Sequence, residues 1–126
     1  MKTILRFSKE TEIRKRETTH TIAVLFLDNF EANYSSIRKD HLNKGLLEMG
    51  FHFVIQLDGK IFMGRHANQV GNCLPELDSK SIYICVVGEQ DEMEIEQSIP
   101  YEMLMEKLSR DFPSCQEIKY LDLDDS

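Results

Sequence analysis

SIRKDHLNKGLLEMGFHFVIQLDGKIFMGR, residues 36–65, changes its hydrophobic period partway along, and that change decides the fold. In the first half Ile37, His41 or Leu42, and Leu46 recur at the spacing of one helical face. Ser35 or Ser36 offers an N-cap and Gly50 stands where helices commonly stop, so a helix is predicted over 36–49. Gly45 inside it weakens the pattern. From Gly50 onward FHFVIQ alternates, Asp58-Gly59 supplies a two-residue hairpin turn, and KIFMG forms the return strand.

On either side of this unit lie two nearly continuous apolar runs, TIAVLFL (21–27) and SIYICVVG (81–88). Both read as strands covered on two faces. TILRF (3–7) is predicted as a short N-terminal strand, and DNFEANYSS as a loop with Asp28 and Asn29 as turn formers. Residues 65–80, with Gly71, Asn72 and Pro75, form a long loop. Pro100 opens the helix PYEMLMEKLSRDF, which carries Leu104 and Leu108 on one face and ends before Pro113. EIKYLDL (117–123) is the last strand, at the sheet edge. The order strand, helix, hairpin, loop, strand, helix, strand implies an α/β fold: a central mixed sheet flanked by helices. The expected organisation is a single domain over 1–126, with a polar N-terminal extension to about residue 12 and an acidic end from about residue 122.

A formal charge of −7 is unevenly placed: acid gathers in GEQDEMEIEQ and LDLDDS, base in EIRKRE and SIRKD. Without a continuous basic face, phosphate neutralisation is not available, so no direct nucleic-acid partner is expected. Docking on a basic protein surface, or simple solubility, accounts for the acid. No apolar run approaches the roughly 20 residues of a membrane span. MKTILRFSKE lacks the apolar core of a secretory signal, so no membrane association and a cytoplasmic location are expected. Cys73, Cys85 and Cys115 are odd in number and lack CxxC spacing, which argues against a disulfide framework or a zinc ribbon. Cys85, inside an apolar strand, reads as a buried inert thiol.

IRKRETTHTIAV, the helix–hairpin stretch ending in Gly64-Arg65, the element Val70-Gly71-Asn72, and SKSIYICVVG together resemble a known family. It is that of the zinc-dependent N-acetylmuramoyl-L-alanine amidases and peptidoglycan recognition proteins, most of all the small amidase-type lysozymes of tailed bacteriophages. The likeness runs from about Ile13 to Gly88 and implies the amidase fold. In that family three protein ligands hold zinc, which lowers the pKa of a bound water to about 7 and polarises the scissile amide. The family's first ligand, a histidine, stands here as Leu25, which has no lone pair to offer. The catalytic tyrosine of its Gly-Tyr-His-Phe stands as Phe51, without the hydroxyl. The later ligands follow the last helix, where this chain has EIKYLDLDDS and only Asp122 or Asp124 near the second place. The lysine of the ligand loop has no counterpart; Cys73 replaces a histidine and Asp78 an asparagine.

With these substitutions the resemblance implies a degenerate zinc site, no metal or other cofactor, and no enzymatic activity. His52, Arg65, Cys73 and Asp78 are then the remnants of a groove, with His52 serving to fix a strand through hydrogen bonds rather than acid–base chemistry. The expected function is that of a phage-related pseudoenzyme that binds and regulates or inhibits a protein partner: a polymerase, a host defence protein or a virion protein. The alternatives are a non-catalytic peptidoglycan or muropeptide binder and residual amidase activity.

Other constellations are weaker. His20, His41, His52 and His66 share no i, i+3 or i+4 spacing and read as unrelated. Cys73 with His66 or His52 would mimic a nucleophile and base, but nothing orients the histidine. Asp122, Asp124 and Asp125 read as an acidic tail rather than a cation site. Met93, Met103 and Met105 read as core filling, with an adaptable contact surface as the alternative.

Overall fold

The computed structural model of the chain describes residues 1–90 and 92–124. Seven elements follow in order: β1 (Thr21–Leu27), α1 (Tyr34–Asn43), β2 (Phe53–Ile55), β3 (Ile61–Met63), β4 (Ser81–Val87), α2 (Ile95–Asp111) and β5 (Glu117–Asp122). A short 3₁₀ turn, Asp78–Lys80, leads into β4. The strands make one sheet in the order β3-β2-β4-β1-β5. The β2–β3 pair is antiparallel and every other pair is parallel, so the mixed α/β sheet expected from the sequence is present.

β1 and β4 are buried at every residue because each has a strand on either side and packed side chains on both faces. Period-two alternation divides the core in two. Ala23, Leu25 and Leu27 join Val54, Tyr83, Cys85, Ile37 and Phe51 on the α1 side. Ile22, Val24 and Phe26 join Ile55, Ile84, Leu104 and Leu108 on the α2 side. No helix among the described residues is long and apolar enough to cross a membrane.

Several local expectations need correction. The first helix stops at Asn43, not Met49, because Gly45 takes φ +97° and Leu46 N–H turns back to the His41 carbonyl. Asn33 is its N-cap, in a reciprocal capping box with Ser36. Gly50 serves close packing instead: a Cβ there would lie 2.1 Å from the Asn72 carbonyl oxygen. Gln56 N–H bonds the Lys60 carbonyl, so the hairpin loop is Leu57-Asp58-Gly59, one residue longer than expected, with Gly59 at φ +85°.

α2 begins at Ile95, so Pro100 stands inside the helix rather than at its first turn. Proline has no N–H for the carbonyl four residues back, which is that of Glu96. The hairpin glycine fills the space: a Cβ on Gly59 would lie 2.1 Å from that Glu96 oxygen. Residues 3–7 form no strand and touch the sheet by one bridge, Thr3 to Leu123.

Instead, residues 3–10 cross the α1 face. Thr3 N–H donates to the Asp122 carbonyl (2.6 Å) and Arg6 N–H to the Cys73 carbonyl (2.8 Å). Ser8 and Asn72 exchange two bonds of 2.8 Å. Leu5 packs against the core on that face.

Candidate functional site

Where this segment passes α1, it leaves a cleft of about 600 Å³. Its apolar walls include Leu5, Phe7, Leu27, Ile37, Phe51 and Leu123. Asn29, Ser36, Asp40 and Lys44 line it too. The exposed Asp40 and Lys44 pair across one helical turn at 3.0 Å. The arrangement is suited to a ligand that presents methyl or ring faces inward and charged groups outward.

His41 also lines this cleft and is the residue that sequence reasoning left aside. Its ring lies between Phe7 and Phe51, with centroids 4.8 and 5.0 Å away. Its Nδ1 accepts the Gly50 N–H at 3.0 Å, so the neutral ring carries its proton on Nε2. Burial pushes its pKa down to about 4. The only signal for it in the sequence is its place on the inner stripe of α1.

The residues expected to mark a groove, His52, Arg65, Cys73 and Asp78, are buried outside the lining of this cleft. The fully buried His52 accepts the Tyr83 N–H at Nδ1 (2.9 Å). Its Nε2 faces the Gln69 carbonyl at 2.7 Å. A backbone donor on one nitrogen and a backbone acceptor on the other require the Nε2–H tautomer. The Arg16 guanidinium, 3.5 Å from Nε2, is a second donor that shares the Gln69 carbonyl. Burial pushes the His52 pKa down to about 3. His52 therefore ties the start of β2 to β4 and to the loop after Arg65.

Asp78 accepts from the N–H groups of Cys73 (2.9 Å) and Leu74 (3.0 Å) and from the Tyr83 hydroxyl (2.6 Å). Burial still raises its pKa, outweighing those three donors. The Cys73 thiol is fully buried, and burial together with Asp78 holds its pKa well above the ordinary range. That is the reverse of what a nucleophilic thiolate needs. Arg65 and Asp78 border a second depression, of about 330 Å³, beneath residues 8–14.

Zinc does not fit the described residues. Leu25, where the resemblance would place a first ligand, is fully buried in the apolar cluster of the α1 face, and Phe51 lines the cleft as hydrocarbon. Among the described residues no three His, Cys, Asp or Glu side chains gather as ligands. Asp122 and Asp124 meet Thr3 through their backbones, and Asp125 lies outside the described residues.

No family model matches the chain. In sequence it is 31% identical over 82 residues to an endolysin of Klebsiella phage KP32, covering 63% of this chain and 54% of the relative. The chain spans about half the length of the curated relatives it matches. In structure it is similar to the N-acetylmuramoyl-L-alanine amidase LysCS of Clostridium intestinale, with TM-score 0.79 and 20% identity. That likeness covers 95% of this chain and 80% of the other. It is also similar to the peptidoglycan recognition protein ectodomain complex bound to tracheal cytotoxin, with TM-score 0.71 and 16% identity over 90% of this chain and 76% of that one.

These likenesses correct the expectation that the chain is not an enzyme. Its sequence relatives are named endolysins, and solved structures of its fold are named amidases, which points to an enzyme.

Proposed function

We propose that this chain, which has the fold of the N-acetylmuramoyl-L-alanine amidases and peptidoglycan recognition proteins and shares sequence with phage endolysins, works on peptidoglycan. Its substrate surface is the cleft between α1 and the N-terminal segment. One observation carries the reading: the cleft of about 600 Å³ pairs apolar walls with a polar, charged lining. A muropeptide offers the complementary chemistry of sugar faces and alanine methyls beside free carboxylates and an ammonium group. Leu27, Phe51 and Phe7 would take the former, Asp40, Lys44 and Asn29 the latter.

Titration of a soluble muropeptide, followed by amide shifts, tests it alongside mass analysis of material released from purified sacculi. The expected result is a shift pattern centred on residues 27–44 and Phe51. Filling the mouth with Asp40→Trp should weaken binding about tenfold. If the wild-type chain shows no binding and releases no material, the reading is overturned.

A second reading, that the chain binds and regulates a protein partner, is supported by the concentration of acid between residues 89 and 106. Recovery of the tagged chain from the cells in which it is made, with or without a stoichiometric protein, tests it.

A further inference from the structure

α2 turns Gln97, Leu104 and Leu108 inward, against the sheet. At 3.6 residues per turn, Ile95, Ile99 and Met103 stand one above another on the opposite side. They are 77, 64 and 66% exposed. The inner face is complete without them, because Tyr101 and Met105 pack beside the leucines. Met103 thus departs from the core role expected of it, while Met93 and Met105 pack against the core.

A single exposed apolar side chain needs no explanation, but a row of three in register on one helix does. The row has an acidic surround: Glu94, Glu96, Glu102 and Glu106 are all exposed. From Ser81 to Glu106 the sequence contains no lysine or arginine. The first cations beyond it are paired on the helix itself, Lys107 with Asp111 at 2.6 Å and Arg110 with Glu106 at 3.1 Å.

The charge selects the occupant. An anionic lipid surface is repelled, and a second copy of the chain would set glutamates against glutamates. We infer that this face of α2 docks a cationic amphipathic helix of another protein. The partner's apolar stripe lies on Ile95, Ile99 and Met103, and its lysines or arginines meet the flanking glutamates. This rests on the second reading above and supplies that reading's surface and partner chemistry.

The test uses a synthetic leucine–lysine amphipathic peptide of about five helical turns and its leucine–glutamate counterpart, each titrated into the labelled full chain. The leucine–lysine peptide should move the amides of α2 and leave those of the muropeptide cleft unmoved. Ile99→Gln with Met103→Gln should weaken it at least about tenfold, with thermal stability unchanged. Glu96→Gln, Glu102→Gln and Glu106→Gln together should weaken it and flatten its salt dependence. Equal binding of the leucine–glutamate peptide, shifts centred elsewhere, no binding, or dimerisation abolished by the double variant would each overturn the assignment. A stoichiometric cellular partner retained by the double variant would overturn the α2 surface while leaving the partner reading intact. Absence of such a partner on the wild-type chain would overturn that reading itself.

Discussion

Arg65 and Glu10, far apart in sequence, meet as an ion pair inside the fold. Arg65 Nη1 donates to Glu10 Oε2 at 3.0 Å, and Nη2 donates to the other carboxylate oxygen. The remaining guanidinium N–H groups go to the carbonyls of Met49, Val70 and Glu48, so all five donors are used on a side chain that is 1% exposed. Glu10 also receives the Leu47 N–H at 3.3 Å. The pair locks the N-terminal segment across the α1 face and so helps to hold one wall of the cleft.

Glu10→Ala therefore strands a buried cation. A loss of about 3–5 kcal/mol is expected in urea unfolding. Arg6→Ala, which breaks the exposed pair with Glu76, should change stability by no more than about 1 kcal/mol. Equal effects of the two would show that Arg65 is not held as described.

His41 and His52 bind protons less readily in the folded chain than in the unfolded one, with pKa values of about 4 and about 3 against an ordinary 6.5. Their stabilisation is complete above about pH 6.5 and declines as pH falls toward those folded values. Between pH 6.5 and 4 each accounts for on the order of 3 kcal/mol of the decline. Stability measured from pH 7.5 to 4 should fall steeply, and His52→Gln should flatten the fall while lowering stability at neutral pH. A profile that stays level to pH 4.5 would contradict the buried neutral imidazoles.

Leu25→His places an imidazole in a packed hydrocarbon layer. No partner waits for its nitrogens, so a loss of about 2–4 kcal/mol is expected by calorimetry. The size of this loss measures how closed the α1 face is at that strand.

Gly50→Ala would drive a Cβ to 2.1 Å from the Asn72 oxygen, whose residue also bonds the Gly50 carbonyl at 3.1 Å. Backbone on both sides cannot yield cheaply, and a loss of about 3 kcal/mol is expected. Gly45→Ala meets nothing within 4 Å and carries only the penalty of φ +97°, about 1 kcal/mol. Chemical denaturation of the two variants should separate packing from backbone strain.

The layout of the sheet was legible in local pattern. β1 and β4 are apolar without interruption because both faces are covered, and Asp58-Gly59 marks the hairpin because a tight turn needs φ above zero. Local pattern failed where a distant carbonyl or donor set the outcome. Gly50 looked like a helix stop, yet Asn72 dictates it; Pro100 looked like a helix start, yet Gly59 covers the carbonyl it leaves unpaired. His52, Arg65, Cys73 and Asp78 could be picked out in the sequence, but not that backbone groups from separate segments would bond the side chains of His52, Arg65 and Asp78.

The cleft itself could not be read in advance. Phe7, His41, Phe51 and Leu123 come from four parts of the chain and meet only in the folded structure, where residues 3–10 close one side of the cleft. Hydrophobic period acts over a few residues and is written in the sequence by itself. Which face is sealed, which pocket stays open and which polar group is already paired depend on contacts between remote segments, and those exist only once the chain has folded.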